Sequence, residues 1–184
     1  MGHRYRHVNV ASAFLTVALT IASQFALGQV SPGLYYIVNA QSGRYLDADT
    51  ATIRQDGTKV QLFGTGGTRN REWRLEGAGG GCFFVVNQQS GRYLDADLAT
   101  IARDGTIVQL YGKGGANIPN RQWRFTGAGN GQFFIVNEQS GRYLDADRAT
   151  IDRDGTIVQL YGTGGAGMPN RQWQLIPVKS IRKQ

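Results

Sequence analysis

The sequence predicts an all-β domain of closed, pseudo-threefold architecture, and three observations carry that expectation. The first is the octapeptide SGRYLDAD, which occurs three times, beginning at Ser42, Ser90 and Ser140. The second is the larger unit around it. Asn39, Asn87 and Asn137 stand 48 and 50 residues apart, and Trp73, Trp123 and Trp173 stand 50 and 50 apart. The third is local: within each unit the apolar runs are short and alternating, with no helical period. Three units are too few for most solenoids or propellers, so a closed threefold β structure suits them best.

The chain opens with MGHRYRHVNVASAFLTVALTIASQFALGQV, a basic start followed by an apolar run broken only by small Ser and Thr. Ala26 and Gly28 stand three and one before a cut after Gly28, so 1–28 is expected to be a signal peptide. The run is short for a membrane span and Gln24 interrupts it, so no membrane insertion is expected after cleavage. A single domain is expected over 29–177, with repeats at about 33–80, 81–130 and 131–177, then a basic tail at 178–184. The expected destination is extracellular or periplasmic.

Each repeat reads as four strands, about twelve in all. In the second repeat FFVVN is a β-branched and aromatic run, and QSGR supplies a turn with Gly91 free to take positive φ. RYLDA alternates, DGT marks another turn, and IVQLY and RQWRF alternate again. Alternation assigns Phe84, Val86, Leu94, Val108, Leu110 and Trp123 to the core, with their counterparts. Asp95, Gln109, Tyr111 and the loop residue Asn120 are left facing outward, and each repeat carries its own version of that set.

Composition removes several chemistries. Both histidines, His3 and His7, lie in the expected signal peptide, and Cys82 is the only cysteine. A histidine-based triad, a Cys–His dyad, a His/Cys zinc site and an intrachain disulfide are thereby excluded from the mature chain. Cys82 aligns with Leu34 and Gln132 and reads as a free thiol at a strand start. The formal net charge of +7 falls by two when Arg4 and Arg6 leave, and Lys179, Arg182 and Lys183 sit in the tail. A solvated tail is expected rather than a nucleic-acid surface, which would interleave basic and aromatic residues on one face.

At LDADLATIARDGTIVQLYG…NRQW the repeats resemble the ricin-B-type β-trefoil lectin domain family, through its Leu-Asp motif, Gly-Thr-x-Val-Gln-Leu-aromatic strand and closing Gln-x-Trp. The resemblance covers nearly all of Tyr35–Leu175. It implies a β-trefoil, a six-stranded barrel capped by three hairpins, with up to three shallow sugar sites and no cofactor or metal. It implies that an aspartate takes two sugar hydroxyls, here Asp47, Asp95 and Asp145. An aromatic two residues beyond a glutamine would stack on the sugar: Gln61 with Phe63, Gln109 with Tyr111, Gln159 with Tyr161. Asn70, Asn120 and Asn170 would add a hydrogen bond. Two features depart from the family pattern. The closing motif reads Asn-Arg-Gln-Trp (Asn120 to Trp123) or Asn-Arg-Glu-Trp (Asn70 to Trp73), and Tyr45, Tyr93 and Tyr143 stand where a disulfide cysteine is usual.

These residue types suit a pyranose. A carboxylate accepts from two vicinal hydroxyls, an aromatic ring covers the C–H face, and Asn or Gln offers donor and acceptor together. With about twelve heavy atoms at ~0.3–0.4 kcal/mol each, one site reaches roughly millimolar affinity. Three sites on one monomeric scaffold gain ~10²–10⁴ in avidity on a glycan-coated surface. Being outward, Asp47, Asp95 and Asp145 are expected to be dispensable for folding. The first site is expected to be weakest, with Phe63 for Tyr, Glu72 for Gln, and a loop two residues shorter.

Other readings fit less well. Asp95, Asp97 and Asp104 invite calcium, but the spacing is not that of an EF-hand loop and lacks its closing Glu. A glycosidase needs one carboxylate pair in unlike environments, whereas these acids come in threes in like surroundings, so no enzyme is expected. The alternative is a protein-binding β-trefoil, inhibitor-like or an accessory subunit, without sugar binding. That would act through an irregular loop of one repeat, and the only unequal loops are TRN against ANIP and AGMP.

Overall fold

Each repeat folds into four strands, as its alternation predicts. In the first, β1 is Gly33–Asn39, β2 Tyr45–Ala48, β3 Thr58–Phe63 and β4 Glu72–Gly79. In the second, β5 is Cys82–Asn87, β6 Tyr93–Ala96, β7 Thr106–Tyr111 and β8 Gln122–Gly129. In the third, β9 is Gln132–Asn137, β10 Tyr143–Ala146, β11 Thr156–Tyr161 and β12 Gln172–Pro177. The computed structural model describes residues 29–113, 118–164 and 167–179. The expected signal peptide and all of the tail beyond Lys179 lie outside the described residues.

The strands close on themselves. β1 pairs β4, β4 pairs β5, β5 pairs β8, β8 pairs β9, β9 pairs β12 and β12 returns to β1, all antiparallel. That ring is a six-stranded barrel without free edges. The hairpins β2–β3, β6–β7 and β10–β11 cap it, and β3, β7 and β11 pair with one another around the pseudo-threefold axis. This is a β-trefoil.

The core is one cluster built three times over. Trp73, Trp123 and Trp173 are fully buried, with Leu46, Leu94, Leu144, Leu62, Leu110 and Leu160 around them. Each indole N–H donates to a carbonyl of the same repeat: Leu46 at 2.9 Å, Leu94 at 3.0 Å and Leu144 at 3.0 Å. The Trp therefore fills volume and satisfies its one polar atom at once.

One face assignment is corrected. Val85, not Val86, belongs to the central cluster, and Phe83 packs against that cluster. Phe84 instead meets Tyr93 edge-on, with ring centroids 5.5 Å apart. In FFVV both faces are apolar, so periodicity has no parity to report. The register of β5 against β4 sets it.

The octapeptide builds a tight turn and a contact between repeats. Asn87 Oδ1 accepts from the backbone N and hydroxyl of Ser90, at 3.1 Å each, and Gly91 takes the turn at φ 69°. Arg92 reaches out of its own repeat to the Asp56 carboxylate and, at 2.5 Å, the Arg54 carbonyl. Arg142 does the same to Asp104, and Arg44 closes the ring onto Asp154. Each of these aspartates also accepts a backbone N–H, from Gly112, Gly162 and Gly64 at 2.7, 2.7 and 2.6 Å. Asp104, weighed above as a calcium ligand, is thus committed to this clasp. Leu and Ala of the motif pack inward, its Tyr meets Tyr36, Phe84 or Phe134 edge-on, its first Asp leads to the site and its second caps the following turn.

Candidate functional site

Three equivalent sites form where β2–β3, β6–β7 and β10–β11 meet the single-turn 3₁₀ helices Arg69–Arg71, Pro119–Arg121 and Pro169–Arg171. Register places Asp47 opposite Gln61, Asp95 opposite Gln109 and Asp145 opposite Gln159. The 3₁₀ turns bring in the asparagines, and Asn87, Asn137 and Asn39 of the following repeats hold their carbonyls at 2.8, 2.9 and 3.0 Å. A site in one repeat is therefore locked by the next. All twelve residues predicted from the sequence come together, four to a site.

The aspartates are not outward, contrary to expectation. Asp47, Asp95 and Asp145 are only 3, 4 and 4 % exposed. Asp145 Oδ2 accepts from Asn170 Nδ2 at 2.8 Å and Arg171 Nε at 2.8 Å, while Oδ1 takes a longer bond of 3.4 Å from Gln159. Asp95 repeats this with Asn120 at 2.9 Å, Arg121 at 2.8 Å and Gln109 at 3.3 Å. Asp47 does so with Asn70 at 2.7 Å, Arg71 at 2.7 Å and Gln61 at 3.2 Å. Alternation puts the carboxylate opposite the core, and the 3₁₀ turn then folds over it. Its Oδ1 retains acceptor capacity for a hydroxyl.

Arg71, Arg121 and Arg171 are the residues that sequence reasoning missed as part of the site. Each guanidinium carbon also lies 5.4 Å from the ring centroid of Phe63, Tyr111 or Tyr161. The arginine thus backs the ring by cation–π contact and pins the carboxylate with the same planar group. The signal was present in the displaced motif: the residue put between Asn and Gln or Glu is this arginine. Gly64, Gly112 and Gly162 make room for it. All three have positive φ, and a Cβ there would sit 2.6–2.7 Å from an arginine Nη1.

The rings remain accessible, with Phe63, Tyr111 and Tyr161 at 39, 42 and 43 % exposure. At the second and third sites they border shallow recesses of about 320 and 340 Å³. Asn120 Oδ1 and Asn170 Oδ1 are buried there without a protein partner among the described residues. Such an acceptor carries a desolvation cost until a donor reaches it. At the first site Thr68 already supplies one, its hydroxyl donating to Asn70 Oδ1 at 2.6 Å. Ile118 and Met168 replace Thr68 in the other copies and have no hydroxyl.

The first copy differs elsewhere too. Its short loop folds against Tyr36, since a Cβ on Gly67 would fall 2.4 Å from that ring. The Tyr36 hydroxyl donates to Glu72 Oε1 at 3.3 Å, and burial followed by the Glu72 charge pushes the phenol above its ordinary pKa. Glu72, expected to alter the site as an acceptor, is engaged there with Tyr36.

Cys82 is a buried free thiol opening β5 and stands apart from the recesses. Its Sγ donates to Glu138 Oε2 at 3.2 Å, and Arg124 Nη2 holds the same oxygen at 2.8 Å. Burial, then the hydrogen bond to Glu138, raises the thiol pKa. The same hydrogen bond and Arg124 lower that of Glu138. Among the described residues no group of three or more acidic, histidine or cysteine side chains is arranged to hold a metal ion.

A β-trefoil with such sites defines a class of glycan-recognition scaffold, and comparison with known proteins places the chain within it. The ricin-type beta-trefoil lectin domain-like family matches residues 22–111 and 119–182, and the chain belongs to that family. Among solved structures it is similar to a designed threefold-symmetric protein, ThreeFoil, with 34% identity and a TM-score of 0.71 over 79% of this chain and 99% of that one. It is also similar to an exo-beta-1,3-galactanase from Clostridium thermocellum, at 29% identity and TM-score 0.68, covering 80% of this chain and 31% of that one. A ricin B-like lectin from Macrolepiota procera, solved with lactose, shares the fold at 21% identity and TM-score 0.67, over 82% of this chain and all, 100%, of that one. No curated protein compared with the chain matches it. Family membership supports a carbohydrate-binding role.

Proposed function

We propose that this protein is a secreted, monomeric glycan-binding domain, without catalytic activity, whose second and third sites carry most of the affinity. The observation that carries the reading is the pair of buried, unpartnered acceptors, Asn120 Oδ1 and Asn170 Oδ1, each in a recess beside an exposed tyrosine and a fixed carboxylate. A sugar hydroxyl supplies the missing donor, a neighbouring hydroxyl reaches the aspartate, and the C–H face lies on the ring. The three-sided repetition suits recognition of many glycan ends by weak sites acting together. The lactose-bound relative gives the same reading an analogy at the level of fold.

A glycan array tests it, comparing the wild type with a Tyr111→Ala/Tyr161→Ala variant. These exposed rings contribute mainly to the recess, so the variant is expected to keep its far-UV circular dichroism and lose array binding. Unchanged binding overturns the reading. Export with cleavage after Gly28 is checked by mass spectrometry of the mature protein, and an N-terminus before about residue 20 contradicts it.

A further inference from the structure

We propose, resting on the sugar-binding reading above, that the third site selects glycans bearing an anionic group, a carboxylate or sulfate, and that Arg148 is the residue that selects them. The three sites share their floor and differ at their rims. Arg148 lines the third recess beside Asp145 and Asp147, and its equivalents are Leu98 at the second site and Thr50 at the first. Arg148 is exposed, and its side chain has no ion pair or hydrogen bond among the described residues. The arginine of the floor and those of the repeated motif are committed: Arg171 to Asp145, Arg142 to Asp104, Arg44 to Asp154.

Local charge separates the sites further. At the second, Asp95 and Asp97 face the one cation Arg121, which leaves an excess negative charge. At the third, Arg148 and Arg171 balance Asp145 and Asp147. Asp147 makes no ion pair with Arg148: its Oδ1 accepts the Ala149 N–H at 3.1 Å and its Oδ2 the Thr150 hydroxyl at 3.5 Å. The guanidinium is therefore available to pair two oxygens of a carboxylate or sulfate in bidentate fashion. A second, independent feature directs a ligand to this recess: Asn170 Oδ1, buried and unpartnered, requires a donor. A sugar hydroxyl on Asn170 and an acidic substituent at the rim satisfy both groups at once. The first site has Thr50 where the third has Arg148; its cations beyond Arg71 are Lys59, which donates to the Gly155 carbonyl at 3.1 Å, and Arg69 on the 3₁₀ turn.

The test uses an array of matched pairs, such as lactose with its sulfated and sialylated forms, and xylo-oligosaccharides with and without glucuronic acid. The best pair is then titrated with NMR detection on the wild type, Arg148→Leu and Leu98→Arg. In the wild type, signals near Asp145 are expected to move at roughly fivefold lower concentration of the acidic member, the size an exposed ion pair gives, with the advantage fading in high salt. Arg148→Leu removes that preference and keeps neutral binding, and Leu98→Arg creates it near Asp95. The second variant is a gain of binding, so misfolding does not mimic it. Equal titration by both members at the third site, or a preference unchanged in Arg148→Leu, overturns the inference alone. No movement at any site with any member overturns the sugar reading and this inference with it.

Discussion

Arg171 donates its Nε to the buried Oδ2 of Asp145 at 2.8 Å while its guanidinium carbon lies 5.4 Å from the ring centroid of Tyr161. One side chain thereby fixes both the hydrogen-bonding half and the stacking half of its site. The same relationship holds in all three repeats, and it alters what mutagenesis of the aspartates reports.

Asp145→Ala leaves Arg171 and Asn170 without their shared acceptor in a largely enclosed position. Removing one member of a buried pair is destabilising, so a loss of about 3 kcal/mol is expected. Urea unfolding monitored by tryptophan fluorescence measures it. A loss of sugar binding in this variant reports folding as well as recognition, so the tyrosines are the cleaner probes.

Thr68→Val removes the hydroxyl that satisfies Asn70 Oδ1 and recreates the unpartnered acceptor of the other two sites. In the wild type, NMR titration is expected to move signals near Asp95 and Asp145 before those near Asp47. In Thr68→Val the first site is expected to bind severalfold more tightly, which narrows the gap. A site unaffected by the change shows that its shorter loop, not the hydroxyl, limits it.

Asp56, Asp104 and Asp154 each receive an arginine and a backbone N–H from the neighbouring repeat. Replacing any of them with Ala removes two charge-assisted bonds between repeats, and about 2 kcal/mol is expected from each. Thermal unfolding tests whether the three losses agree. A much smaller loss at Asp154 reveals that the contact closing the first repeat onto the third is the weakest of the ring.

Cys82 has a folded-state pKa above its ordinary value, from burial and then from the hydrogen bond to Glu138. Its contribution to stability is whole below the unfolded thiol value, about 8.5, and is lost as pH rises through the folded value. The denaturant midpoint is expected to fall more steeply above that pH in the wild type than in Cys82→Ala. Glu138 has the opposite sign: its pKa is depressed, so its contribution is lost as pH falls below the ordinary carboxylate range. Iodoacetamide labelling of the native protein is expected to be slow at neutral pH.

By itself the sequence determined the repeat, the strands and four of the residues that gather at each candidate site. Trp123, Leu94 and Leu110 announce the core because alternation over a half-buried strand is a local property. Asp95, Gln109, Tyr111 and Asn120 stood out as the polar remainder of that pattern, and the fold gathers them. Only the tertiary structure decided how they are held. The Asp95–Arg121 bond spans 26 residues and forms because the 3₁₀ turn folds over β6, which no short-range period encodes. Barrel register chose Val85 over Val86 for the central cluster, since FFVV is apolar on both faces and both valines are buried. Arg44 meets Asp154 across 110 residues because the barrel closes as a ring, which brings the first repeat against the third.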